Sequence, residues 1–171
     1  MSPDLDVRLS TMLSALEEII KPAIDPGNSL AAEQAELLLG SLRMLQKQMD
    51  YIHAFETTEL RSMIALADTL ATIVGGEMVC TDDPVVVAAK AALGPPIASS
   101  VLRDASRAIR ASIRPVVEAA ERNAETRLPV QRAVLEHSER LIRRERAWVA
   151  STGFDVFPES LQTIPESPRL G

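Results

Sequence analysis

The stretch NSLAAEQAELLLGSLRMLQKQMDYIHAFETTELRSMIALADTLATIV, residues 28–74, runs 47 residues with no proline and one glycine, Gly40. Apolar residues recur along it every three or four positions, the period of a helix that buries one face. As a single straight rod it would measure ~70 Å, whereas a compact domain of this size has a radius of gyration of only ~15 Å. The run must therefore kink, break or protrude. One seam reads Ala35, Leu38, Leu42, Leu45, Met49, Ile52, then Glu56, then Leu60, Met63, Ala67, Leu70, Val74. A carboxylate thus occupies a core position. The spacing around it goes four and four where its neighbours alternate four and three, a stutter that perturbs supercoiling without ending a helix. Residues 51–58 are therefore a kink in one helix or a true break between two, and the favoured expectation is one long spine helix kinked there.

The flanks carry clear punctuation. Upstream, Ser2 and Pro3 read as an N-cap and a first-turn proline, after which Leu5, Leu9, Met12, Leu16 and Ile19 share a helical face as far as Lys21 and Pro22. Residues 24–28, Ile-Asp-Pro-Gly-Asn, are turn chemistry, with Ser29 as the cap of the long run. Gly75 and Gly76 stop that run, since glycine supplies the left-handed conformation common at helix ends. Asp83 and Pro84 repeat the cap-then-proline signature and start a short apolar helix to Leu93. Another helix from Ile97 places Val101, Ala105, Ala108, Ser112, Val116 and Ala119 on one side, with Pro115 predicting a bend or restart. A last helix opens at Pro129 and carries Val130, Val134, Leu141 and Trp148. Nothing alternates with period two, so no strand is expected.

These elements predict an all-α fold: an antiparallel bundle of about four main helices over residues 1–152, with a proline-rich, irregular tail at 153–171. The tail holds Phe154 and Phe157, two of three phenylalanines, so its first part is expected to lie against the bundle. Aromatics make up 3% of the chain, which leaves Leu, Ala, Val, Ile and Met to fill the core and suits closely spaced helices. The single cysteine, Cys80, reads as a small buried hydrophobe. With no intramolecular disulfide open to it and no secretory pattern at the start, the reading is cytoplasmic. Charged residues interrupt every apolar stretch, so no membrane span is expected.

The net charge of −6 argues against a nucleic-acid partner. Its distribution is uneven. Residues 1–96 carry 6 basic and 14 acidic side chains, whereas residues 97–150 carry 11 and 7. Such halves attract one another across helix interfaces or between subunits.

Two constellations offer chemistry. Asp50, His53 and Glu56 are spaced by three and form a polar strip, and with His137, between Val134 and Leu141, they make a candidate interior polar site. Bundles hold metals with carboxylates and imidazoles, but a di-iron bundle needs Glu-x-x-His on two helices, and Val134 stands three before His137. No metal or cofactor is therefore expected. The second constellation is a row of arginines, Arg103, Arg107, Arg110 and Arg114, sharing one face. Their planar forks grip phosphate or carboxylate, so the row binds either an anionic ligand or partner, or acidic groups of the chain's own first half, among them Glu17, Glu18, Glu33, Glu36 and Glu59. In the last helix Arg140, Arg143, Arg144 and Arg146 read as a solvated face, balanced by Glu136 and Glu139 four residues earlier. No phosphate-cradling glycine loop, nucleophile elbow or zinc spacing is present.

The functional expectation is a helical interaction or scaffold subunit, homodimeric, with another protein as a further possible partner. An exposed seam of this length is otherwise an aggregation liability. The alternative is a ligand-binding or enzymatic bundle built on His53, Glu56 and His137, with the arginine row taking an anionic group.

Overall fold

The computed structural model describes residues 4–75, 83–94, 97–150 and 155–161. Within them the chain is all-helical, with six α-helices and no strand: α1 Leu5–Ser14, α2 Ser29–Gln48, α3 Ile52–Ile73, α4 Pro84–Ala92, α5 Ser99–Ala120 and α6 Arg127–Trp148. It divides into two compact units, one holding the residues up to Asp50 with Trp148–Leu161, the other Tyr51–Ala147. This division falls inside the span that the sequence reads as one domain.

The long run is two helices. Gln48 ends α2 and Ile52 begins α3, and Tyr51 leaves ideal helical backbone at φ −107°, ψ −6°. The single kinked spine is thus replaced by a break over residues 49–51, and Glu56 lies inside α3, beyond it.

In the first unit α1 is capped by Asp4, whose Oδ1 accepts the Asp6 amide at 3.1 Å; Ser2 and Pro3 lie outside the described residues. The helix widens into a π-helical segment over Ala15–Ile20, in which the Lys21 N–H reaches back five residues to the Leu16 carbonyl, and then tightens into a 3₁₀ turn at Lys21–Ala23. Asp25 closes the following turn by accepting the Gly27 amide at 2.8 Å. Asn28, not Ser29, caps α2, accepting the Ala31 amide at 3.0 Å, since an Asn side chain at this position satisfies an otherwise orphaned donor. The hairpin is held by polar contacts: Gln46 Nε2 donates to Asp6 Oδ1 at 2.7 Å and Ser10 Oγ at 3.0 Å, Arg43 grips both Glu17 oxygens at 2.7 and 2.8 Å, and Lys21 pairs with Glu36. Its apolar interior is small. Leu9, Leu16, Ala35 and Leu39 are buried, whereas Leu38 and Leu45 of the expected seam are exposed. In α2, then, Ala35 keeps its expected place and Leu39 is buried in place of Leu38.

The second unit has a dense core. Leu60, Met63, Ala67 and Leu70 of α3, Val86 and Ala89 of α4, Leu102, Ile109, Ile113 and Ala120 of α5 and Val130 of α6 form one cluster. Gly75 at φ +80° follows α3, the backbone region that glycine enters without steric cost, and Asp83 caps α4 ahead of Pro84 by accepting the Val85 amide at 2.7 Å. Helix α5 runs through Pro115 without restarting. Pro115 and Ala111 both face solvent, so water can satisfy the carbonyl that the proline leaves unbonded. The buried face of α5 is Leu102, Ser106, Ile109, Ile113, Val116 and Ala120, one residue beyond the expected face for most of its length; Val101 is exposed.

In the remaining described segment, Phe157 is exposed beside the 3₁₀ turn Pro158–Ser160, so this phenylalanine is not docked within its own chain. Phe154, Gly76 and Cys80 lie outside the described residues.

Candidate functional site: a buried charge ladder in the second unit

Glu56, Glu59 and Ser62 are three residues apart on α3 and all buried. That spacing stacks them along one helical face, beside the apolar Leu60, Met63 and Ala67. Each is met by a side chain from α5 or α6. Arg103 Nε donates to Glu56 Oε1 at 2.7 Å. Glu59 takes two arginines: Arg110 Nη2 donates to Oε1 at 3.1 Å, and Arg144 Nη2 donates to Oε2. Ser62 Oγ lies 3.2 Å from His137 Nδ1.

The order of these contacts gives the helix directions. Glu56 and Arg103 both stand near the N-terminal ends of their helices, and Glu59 and Arg110 follow, so α3 and α5 run in the same sense. An antiparallel pair would set Glu56 against the last turns of α5. On α6 the partners descend, Arg144 with Glu59 and His137 with Ser62, so α6 runs opposite to α3. Thus α3 and α6 run in opposite senses and α3 and α5 in the same sense.

Arg144 is the centre of the ladder. It is 0% exposed, whereas Arg103 and Arg110 are half-exposed. An arginine cannot shed its proton in a protein, so Glu59 supplies the opposite charge that a fully buried guanidinium requires. The guanidinium carbon also lies 6.0 Å from the centre of the Phe55 ring, within cation–π range. The imidazole of His137 is held below its ordinary pKa, first by burial and further by Arg140, Arg144 and Arg110, against the opposing pull of Glu59. His137 is therefore neutral at pH 7, in the state able to exchange a hydrogen bond with Ser62.

The four residues of the expected interior site are not brought together. Asp50 and His53 are exposed. Glu56 and His137 are buried but bond to different partners, Arg103 and Ser62. The arginine row is used in alternation. Arg103 and Arg110, seven apart, cross to α3, while Arg107 and Arg114 pair within α5, with Asp104 at 3.2 Å and Glu118 at 2.9 Å. Of the acidic groups named as candidate partners, Glu59 meets the row; Glu17 and Glu36 are taken by Arg43 and Lys21.

Arg144 is the residue that sequence reading misplaced, since it was grouped with a solvated face. The signal was present: Val130, Val134, His137, Leu141 and Arg144 step by four, three, four and three, so holding the phase of the apolar seam through its polar members leads to Arg144. Among the described residues no group of three or more His, Cys, Asp or Glu is placed to hold a metal ion, and no helix is long and apolar enough to cross a membrane. Comparison with protein-family models, with curated proteins and with solved structures finds no match.

Proposed function

We propose that this chain is a cytoplasmic interaction or scaffold subunit that works through its surfaces, as a homodimer whose helical bundle is completed by a second copy. One observation carries the reading. The first unit buries four apolar side chains in its helical hairpin, yet on the same two helices and their connection Leu5, Val7, Met12, Ile19, Ile20, Leu30, Leu37, Leu38 and Leu45 are 42–69% exposed. Scattered exposed leucines are ordinary, but an apolar surface of this density marks an interaction site.

The alternative of a ligand-binding or enzymatic interior has a specific difficulty. Glu56 and Glu59 already hold Arg103, Arg110 and Arg144, so an anion entering there must compete with a buried carboxylate for each of these arginines. The ladder is a means of joining three helices.

Sedimentation velocity over a range of concentrations tests the homodimer. A dimer dissociating at roughly micromolar concentration is expected; a chain that stays monomeric throughout, with no partner retained from its host cytoplasm, overturns the reading.

A further inference from the structure

The exposed leucines of α2 form a pattern with a symmetry of its own. Leu30 and Leu37 are seven apart, as are Leu38 and Leu45, so they make two rows on the side of α2 away from α1, with the polar Gln34 and Ser41 between them, while at the C-terminal end of this stripe Gln48 is buried and donates to the Trp148 carbonyl. Glu33 and Lys47 flank this stripe on one edge. They lie seven residues either side of Gly40, which is on the same edge. Neither takes part in an ion pair among the described residues, although nearby Glu36, Arg43 and Glu17 all do. At Gly40 an added Cβ would meet nothing within 4 Å, so open space surrounds the midpoint.

From this arrangement we infer that α2 is the dimer contact, pairing antiparallel with α2 of a second copy about a two-fold axis at the level of residues 38–40. A closed dimer needs a surface that complements itself, and the placement of these residues meets that need. The axis sets Glu33 against the partner subunit's Lys47 and Lys47 against the partner subunit's Glu33. Gly40 faces its own copy on that edge, where the absent side chain lets the backbones approach. On the other edge Leu38 faces its own copy, with Leu45 against the small Ala31 of the partner subunit. This is the flank pairing of an antiparallel coiled coil, in which charges at equivalent positions select orientation. A parallel pairing would oppose Glu33 to Glu33 and Lys47 to Lys47, and is thereby disfavoured. A stable dimer buries about 1,200 Å² or more in total, which sets the area this contact has to cover.

The inference rests on the homodimer reading, and charge exchange separates the two. Glu33→Lys and Lys47→Glu are exposed changes that should leave the helical circular dichroism intact. Each alone is expected to weaken self-association at low salt by roughly tenfold. The double variant Glu33→Lys/Lys47→Glu should recover it, and so should an equimolar mixture of the two single variants, because each then presents the charge the other lacks. Leu38→Glu, which opposes two like charges on the axis, should abolish the dimer. If the wild type dimerises and the single variants do so equally well, or fail to rescue each other, this contact is wrong while the homodimer stands. If the wild type is monomeric, both fall.

Discussion

The two units of this molecule solve opposite problems with similar side chains. In Tyr51–Ala147, leucines, isoleucines and alanines from four helices close over one another, and the charges that enter the interior arrive already matched, Glu56 with Arg103 and Glu59 with Arg110 and Arg144. In the first unit the contacts that hold α1 to α2 are mostly polar and exposed, as with Glu17 and Arg43, while large apolar residues face outward. The difference is in where desolvation is spent. The second unit completes its burial within one chain; the first leaves apolar surface for something else to cover.

The largest effect expected from breaking this contrast comes at Glu59. Glu59→Ala strands a buried guanidinium and should cost about 3–5 kcal/mol in urea unfolding of the second unit. The pair replacement Glu59→Leu/Arg144→Met should recover most of the loss, because removing both charges also removes their desolvation penalty. If the single variant costs no more than a surface change, the ladder is not structural. Next, Leu60→Ala should lose about 2–5 kcal/mol through the cavity it leaves, whereas Leu37→Ala, measured at dilutions where the chain is monomeric, should stay within about 0.5 kcal/mol. Comparable costs at both sites would erase the distinction between the units.

A pH series sharpens the comparison from another side. The folded state holds His137 below its unfolded pKa of 6.5, so the unfolded chain binds the extra proton first. Stability of the second unit should therefore fall as pH drops below about 6.5, and His137→Leu should flatten that part of the melting-temperature profile. An unchanged slope in the variant would assign the pH dependence to other groups. The smallest effect belongs to the hairpin: Arg43→Ala removes a half-exposed pair and should cost no more than about 1 kcal/mol.

Much of this was legible in the residues themselves. The all-α class follows from period, and Asp83 with Pro84 and the glycine after α3 mark ends that the structure keeps. Glu56 stands out because it breaks an apolar series, and the arginine row because its four members share one helical face. What escaped was angular detail. The buried face of α5 lies one residue from the expected one for most of its length, and in α2 Leu39 is buried in place of Leu38, since in a chain rich in alanine two adjacent stripes look nearly alike until a neighbour selects one. Arg144 escaped because a charged residue was read by its type instead of by its phase. A break is one of the two readings open at residues 51–58, but it falls at 49–51, where neither a glycine nor a proline announces it.

The π-helical segment at Ala15–Ile20 has a consequence for how this hairpin can vary. A π turn carries one residue more than the α turn it replaces, so it is the folded form of a single inserted codon. Deleting one residue there would let the segment close as ordinary α-helix while the residues on either side keep their register. Leu9 and the capping Asp4 would stay in place before it, and Lys21 would stay within reach of Glu36 after it. The hairpin therefore has a site at which its length can change by one residue with the face of α2 left untouched.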